Sequence, residues 1–203
     1  MQIVLASASP RRRELLAQAG LLFEVLPAEV DEGLASGTCA EAGAVLLAER
    51  KALAVRARLA PGRRAWVLAA DTIVALGEPG ARDGERLLGK PADEPEARAM
   101  LRALSGTRHR VVTGVCVAPA PEGALLTGSE TTRVHMRPIE SREVEAYVRS
   151  GEWRDKAGGY AIQESADRFV LALEGGGFDN VVGLPVRLAL ELLRRAGAPL
   201  PTA

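Results

Sequence analysis

The stretch Ala6-Ser7-Ala8-Ser9-Pro10-Arg11-Arg12-Arg13 joins an apolar segment to a helical one through small residues. Such a junction suits an anion: backbone N–H groups at a helix start lack internal partners, and the helix dipole adds partial positive charge. Arginine adds planar, bidentate donors that match phosphate oxygens. The stretch is neither a G-x-x-x-x-G-K-[ST] loop nor a G-x-G-x-x-G fingerprint, so nothing in it supports a P-loop or a dinucleotide fold. The plainer alternative is a capped helix whose three arginines are solvated.

Asp71 lies in Ala69-Ala70-Asp71-Thr72-Ile73-Val74, a carboxylate within an apolar run. Unpaired burial of that charge is costly, so Asp71 should be paired, protonated, metal-bound, or engaged in capping a turn. Lys51 falls in a helical segment where a surface role is equally open, and Lys90 in Leu88-Gly89-Lys90-Pro91 stands in a loop that could reach a ligand. The segment from Trp153 to Gln163 sets Asp155 and Lys156 before two glycines, which permit a tight turn or close approach to a ligand. Gln163 carries a donor and an acceptor suited to a nucleobase edge, although an ordinary turn explains the segment too. Asn180-Val181-Val182-Gly183-Leu184-Pro185 is a comparable turn-to-helix junction. His109 and His135 lack metal-ligand spacing and are read as structural or surface residues. Cys39 and Cys116 show no CxxC or Cys/His spacing and are read as reduced core thiols.

These residues need a scaffold, and the apolar pattern supplies one. Met1 to Leu5 reads as a strand, followed by a helix with Ser9 as N-cap, Pro10 at its first position and Gly20 as its stop. Phe23 to Leu26 reads as a second strand. Thr38…Glu41 forms the pattern of a capping box before a long Ala/Leu-rich helix that ends at Pro61-Gly62. Trp66 to Leu76 is nearly unbroken in apolar residues around Asp71 and Thr72, as in a strand buried on both faces. Asp93…Glu96 is a second capping-box pattern, opening a helix through Leu104. Val111 to Val117 and Leu125 to Met136 read as strands in a hairpin-like arrangement, Ser141 to Val148 as a helix, Tyr160 to Gln163 and Phe169 to Leu173 as short strands, and Leu184 to Ala196 as a terminal helix. Interspersed strands and helices define an α/β class with a mixed sheet.

With 203 residues, 47% of them hydrophobic, the chain can bury a sizeable core, and one domain spanning 1–203 is expected. Lys plus Arg and Asp plus Glu number 26 each, so no global field favours nucleic acid or an anionic membrane, and 3% aromatic residues leave little for base stacking. No apolar run approaches membrane-spanning length, and the basic run follows the N-terminal apolar residues, the reverse of a secretory signal. A cytoplasmic protein, binding neither membrane nor nucleic acid, is expected.

In order, LASASPRRRELL, AADTIV, LGKP, LSG…H.V.TG, DKAGGYAIQ and VVGLP closely resemble the Maf family of nucleotide pyrophosphatases, from residue 5 to about residue 195. The resemblance implies a fold like that of the inosine triphosphate pyrophosphatases, an α/β molecule with a curved mixed β-sheet and flanking helices, usually a homodimer. It implies hydrolysis of a nucleoside triphosphate between its α and β phosphates with a divalent cation, Mg²⁺ or Mn²⁺. By matching position, Asp71 is the catalytic carboxylate and proton acceptor; Arg11, Thr72 and Gln163 bear on substrate choice; Ser7, Arg12, Lys51 and Lys90 line the phosphate and metal region. Glu32 matches an acidic residue there that with Asp71 would hold the metal, unless the alignment slips by one to Asp31. Lys156 and Gln163 in DKAGGYAIQ resemble the dTTP/UTP subgroup rather than the one acting on 7-methyl-GTP. The charged stretch Arg82 to Arg86 lengthens the loop before Lys90. The rival readings are a 7-methyl-GTP pyrophosphatase and a nucleotide-binding inhibitor of cell division, the latter having no need of an intact Asp71.

Overall fold

The computed structural model describes residues 2–78, 84–163 and 165–200. The chain packs as two compact units, one of Met1–Asp71, Thr113–Glu130 and Gly183–Ala203, the other of Thr72–Val112 and Thr131–Val182. Among the described residues seven strands are joined in one mixed sheet: β1 (Gln2–Leu5), β2 (Phe23–Val25), β3 (Ala65–Leu76), β4 (Arg86–Leu88), β5 (Arg108–Ala120), β6 (Leu126–Met136) and β7 (Val170–Glu174). Their order is β2-β1-β3-β5-β6-β7, with β4 paired to β3. The expected α/β class with flanking helices is thereby found.

In the first unit β1 runs parallel to both β2 and β3, with Ile3 opposite Phe23 and Trp66. Parallel strands are covered on both faces, which is why β3 reads as a nearly continuous apolar run. Its side chains nonetheless alternate. Trp66, Leu68 and Ala70 join the cluster that contains Leu16 of α1 (Pro10–Gln18) and Leu192 and Leu193 of α6 (Val186–Arg195). Val67 and Ala69 join Ala48, Ala52 and Val55 of α2 (Ala40–Arg58). Asp71 continues the odd-numbered series, the face toward α2. On α2 the buried positions Ala44, Leu47, Ala48, Lys51, Ala52 and Val55 form one stripe at helical spacing, so Lys51 points to the same side.

The α2 helix can lie close because half of its buried stripe is alanine and because β5 carries Gly114 beneath it. A Cβ on Gly114 would stand 2.3 Å from the Ala44 carbonyl carbon and 2.4 Å from its oxygen. That contact is backbone against backbone, which no rotamer change relieves.

The second unit has its own core, in which Met100, Leu101 and Leu104 of α3 (Glu94–Leu104) pack with Val144, Tyr147 and Val148 of α4 (Ser141–Ser150) and with Trp153, Tyr160 and Phe169. Here the sheet pairing is antiparallel, β3 with β4 and β6 with β7. A five-residue helix, α5 (Phe178–Val182), buries Asn180, whose amide donates to the Val111 carbonyl at 3.0 Å and to the Thr132 hydroxyl at 2.8 Å.

Several local expectations hold and others do not. Ser9 caps α1, accepting from the Arg12 N–H at 3.4 Å, and Gly20 follows the helix with φ of 74°. Asp93 caps α3, but the Glu96 carboxylate takes the Ala92 N–H instead of completing the box at Asp93. The Thr38 box does not form: α2 begins after Cys39, and the Thr38 hydroxyl donates to the Ala35 carbonyl at 2.7 Å. Cys39 is therefore half-buried at a helix start, whereas Cys116 is a core thiol whose pKa burial pushes up to about 12. Tyr160 to Gln163 is not a strand. Gly158 and Gly159, at φ of 69° and 71°, turn the backbone, and the Ala161 N–H goes to the Tyr147 hydroxyl at 3.3 Å rather than to a neighbouring strand. β4 and α5 were not expected; they are three and five residues long, too short for periodicity to reveal. Of the charged stretch Arg82 to Arg86, residues 82 and 83 lie outside the described residues.

Gly114→Ala should destabilise the protein by about 3 kcal/mol, the upper range for overpacking. At about 2–4 °C per kcal/mol for a chain of this size, thermal unfolding should fall by about 6–12 °C. An unchanged melting temperature would mean that α2 does not need this approach.

Candidate active site

The site in the first unit is built around the ammonium of Lys51. It donates to Glu32 Oε1 at 2.6 Å and to Asp71 Oδ1. Lys51 and Asp71 are both buried, their side chains 10% and 9% exposed, while Glu32 is 42% exposed. The buried acid is thus paired, as its position in an apolar strand requires.

Glu32 reaches Lys51 from a loop that is itself held. Arg50, on α2, donates to the Asp31 carbonyl at 3.2 Å and to the Gly33 carbonyl at 2.7 Å. The Asp31 carboxylate accepts the Gly33 N–H at 2.9 Å, closing a local turn. Asp31 therefore shapes the loop, and of the two acidic residues it is Glu32 that faces Lys51. Nothing in the sequence marked Arg50 for this task.

Close by in the same unit is the strand-to-helix junction. Arg12 donates through Nε to the Gly183 carbonyl at 2.7 Å and through Nη1 to Ser7 Oγ at 3.3 Å. Ser7 Oγ also accepts the Ser9 N–H at 3.2 Å. The VVGLP segment, read only as a turn before a helix, supplies that carbonyl. Burial pushes the Arg12 guanidinium below its ordinary value; the charge of Asp71 pulls it back up, Arg11 adds to the lowering, and Glu32 opposes it. Those couplings put Arg12 in the electrostatic field of both carboxylates. Of the three consecutive arginines, Arg12 is tied into the site, and Arg11 is half-buried on the first turn of α1.

Thr72, Lys90, Lys156 and Gln163 belong to the second unit. Lys90 follows β4, and the preceding Gly89 carbonyl accepts the Gly158 N–H at 2.9 Å, so the LGKP and DKAGGYAIQ segments are bonded to each other. The glycine is required at 158, since a Cβ there would meet the Val74 side chain at 3.0–3.1 Å with the backbone already at positive φ. Lys156 is buried and its ammonium donates to the Glu152 carbonyl. Gln163 is exposed and Thr72 half-buried.

The donor set can be tested against a divalent cation. Among the described residues no group of three or more His, Cys, Asp or Glu could hold a metal ion. Two carboxylates, Glu32 and Asp71, converge on one cation, Lys51. Mg²⁺ commonly takes one or two carboxylates and completes its shell with water and substrate phosphate oxygens, so these residues fit a metal shared with a substrate, not a protein-only cage.

The chain that carries this buried acid, its paired lysine and the basic strand-to-helix junction is matched in sequence by a family of proteins. A sequence model of the family described as Maf-like protein matches residues 2–196, and the chain belongs to that family. A dTTP/UTP pyrophosphatase of Myxococcus xanthus (strain DK1622) is 51% identical over 199 residues, 98% of this chain and 94% of the relative. One of Anaeromyxobacter sp. (strain Fw109-5) is 49% identical, covering 98% of this chain and 92% of the relative. A solved nucleoside-triphosphatase, a dITP/XTP pyrophosphatase from Mycobacterium abscessus, aligns over 99% of this chain and 100% of its own at 17% identity and a TM-score of 0.45, too remote to bear on the fold.

Lys51→Met should cost about 3 kcal/mol or more, because it leaves the buried Asp71 carboxylate without its bonded ammonium. Glu32→Gln removes a partner that is largely in water and should cost less than about 1 kcal/mol. Urea unfolding of both variants checks this; equal losses would mean that the Asp71 pair is not the stabilising one.

Proposed function

We propose that this chain is a nucleoside triphosphate pyrophosphatase acting on dTTP, UTP and modified pyrimidine nucleotides, yielding the monophosphate and pyrophosphate. The observation that carries the proposal is the buried Asp71 carboxylate bonded to Lys51 in the same unit as the Ser7–Arg12 junction. The printed activity of relatives that are about half identical over nearly the full chain supports the pyrimidine substrates.

Water adds across the α–β anhydride, and Asp71 takes a proton from it as general base. Lys51 orients that carboxylate. The triphosphate needs cationic partners as charge develops on the leaving pyrophosphate, and Arg12 and Lys51 provide them, with Ser7 Oγ as a further hydrogen-bonding group; a phosphate role for Lys90 rests on the family resemblance alone. Glu32 and Asp71 would hold Mg²⁺ or Mn²⁺, whose chemistry when bound is to neutralise phosphate oxygens and acidify water. Arg11, Thr72 and Gln163 act on substrate choice, and Lys156 marks the pyrimidine form of its segment. The family resemblance leads further to a homodimer working in the cytoplasm. A regulator that merely bound nucleotides would not require Asp71.

With dTTP or UTP and Mg²⁺ or Mn²⁺, the purified protein should release monophosphate and pyrophosphate in equal amounts, and EDTA should abolish turnover. Orthophosphate as the sole inorganic product would place cleavage at the β–γ bond and overturn the proposal. Asp71→Asn should lower kcat by about 10²-fold or more while nucleotide still binds, the scale of losing a general base. Near-normal turnover would return Asp71 to a structural role.

A further inference from the structure

His109, set aside in the sequence as structural or surface, is buried at the start of β5. Its Nε2 lies 2.8 Å from the Tyr160 hydroxyl, and its Nδ1 lies 3.4 Å from Thr107 Oγ1. The two rings meet edge to face, with centroids 5.6 Å apart and planes at 88°. The Thr107 hydroxyl has a single proton, and it is given to the Leu104 carbonyl at 2.8 Å. Thr107 Oγ1 can therefore only accept from the imidazole, which puts the ring proton on Nδ1 and leaves Nε2 bare. Tyr160 then donates to Nε2. Burial favours the neutral ring, lowering the His109 pKa to about 4, and pushes the Tyr160 phenol the other way, so both groups stay uncharged.

Tyr160 lies between Lys156 and Gln163, in a segment bonded at several points. Gly158 N–H reaches the Gly89 carbonyl, Ala161 N–H reaches the Tyr147 hydroxyl, and a Cβ on Gly159 would touch Pro91 at 3.4 Å. Of the side chains within the segment, Tyr160 sends its hydroxyl down to β5. We propose that His109, as the Nδ1–H tautomer, is a positioning residue that holds the Tyr160 hydroxyl and thereby sets the segment carrying Gln163 for pyrimidine selection. This rests on the reading that Gln163 acts on base choice, and it links two segments, LSG…H.V.TG and DKAGGYAIQ, that are far apart in sequence.

The test compares the wild type, Tyr160→Phe and Gln163→Glu, each with Mg²⁺. In the wild type, ¹⁵N NMR of the imidazole should show a protonated Nδ1 and a bare, hydrogen-bonded Nε2. Tyr160→Phe keeps the ring but strips the donor. It should raise hydrogen exchange at the Gly158 and Ala161 amides and lower the dTTP-to-GTP ratio of kcat/KM by at least about fivefold, with kcat on saturating dTTP within about threefold of wild type. A purely structural hydroxyl would lower the melting temperature and leave that ratio unchanged. The inference is overturned by a protonated Nε2 in the wild type, by unchanged exchange, or by an unchanged ratio in Tyr160→Phe while Gln163→Glu alters it. If Gln163→Glu also leaves the ratio unchanged, the reading of Gln163 fails and the link to selection falls with it. Should Tyr160→Phe not fold, the wild-type tautomer still decides the direction of the bond on which the inference stands.

Discussion

A lysine ammonium shared by two carboxylates is stable only where the backbone brings all three together, and in the first unit three separate features do so. Strand parity turns Asp71 toward α2, the alanine stripe of α2 turns Lys51 toward the sheet, and Arg50 ties down the loop that carries Glu32. Gly114 lets α2 approach closely enough for the ammonium to reach. Each feature is ordinary alone. Together they place a buried negative charge where desolvation would otherwise expel it, and a buried paired charge of this kind is a common mark of a functional site.

The same economy of groups recurs at the strand-to-helix junction of Ser7 and Arg12. Arg12 is held through Nε by the Gly183 carbonyl and through Nη1 by Ser7, two bonds that fix where its guanidinium lies. Pre-organisation of this sort matters for phosphoryl chemistry, where positioning and charge stabilisation make up most of what a protein contributes. Of three adjacent arginines, the one so tied is the second, whose backbone N–H also donates to the capping Ser9 hydroxyl.

The second unit is organised by buried polar bonds of another kind. Asn180 bridges the Val111 carbonyl and the Thr132 hydroxyl, and Thr132 in turn donates to the Gly177 carbonyl at 3.2 Å. His109 and Tyr160 form a second bridge, from β5 to the glycine turn. Such bonds contribute modestly to net stability but specify one arrangement, because leaving either partner unsatisfied in the core is costly. They give definite positions to segments that carry little regular secondary structure.

The sequence by itself determined the long apolar strands, the Ser9 and Asp93 helix starts, the α/β class and the family, since periodicity, capping chemistry and ordered motifs are local signals. It also marked Asp71, because a carboxylate in a twelve-residue buried strand demands a partner. The partner's identity was not local. Lys51 is twenty residues away in the chain, the Gly183 carbonyl is 171 residues from Arg12, and His109 is 51 from Tyr160. That Glu32 and not Asp31 meets Lys51 goes with a turn-closing hydrogen bond at Asp31, and the strand expected over residues 160–163 gives way after two glycines at positive φ, the first lying where a Cβ would press on Val74. Tertiary structure decided these points because the free energy that selects each partner comes from burial, and burial is created only when segments distant in sequence close on one another.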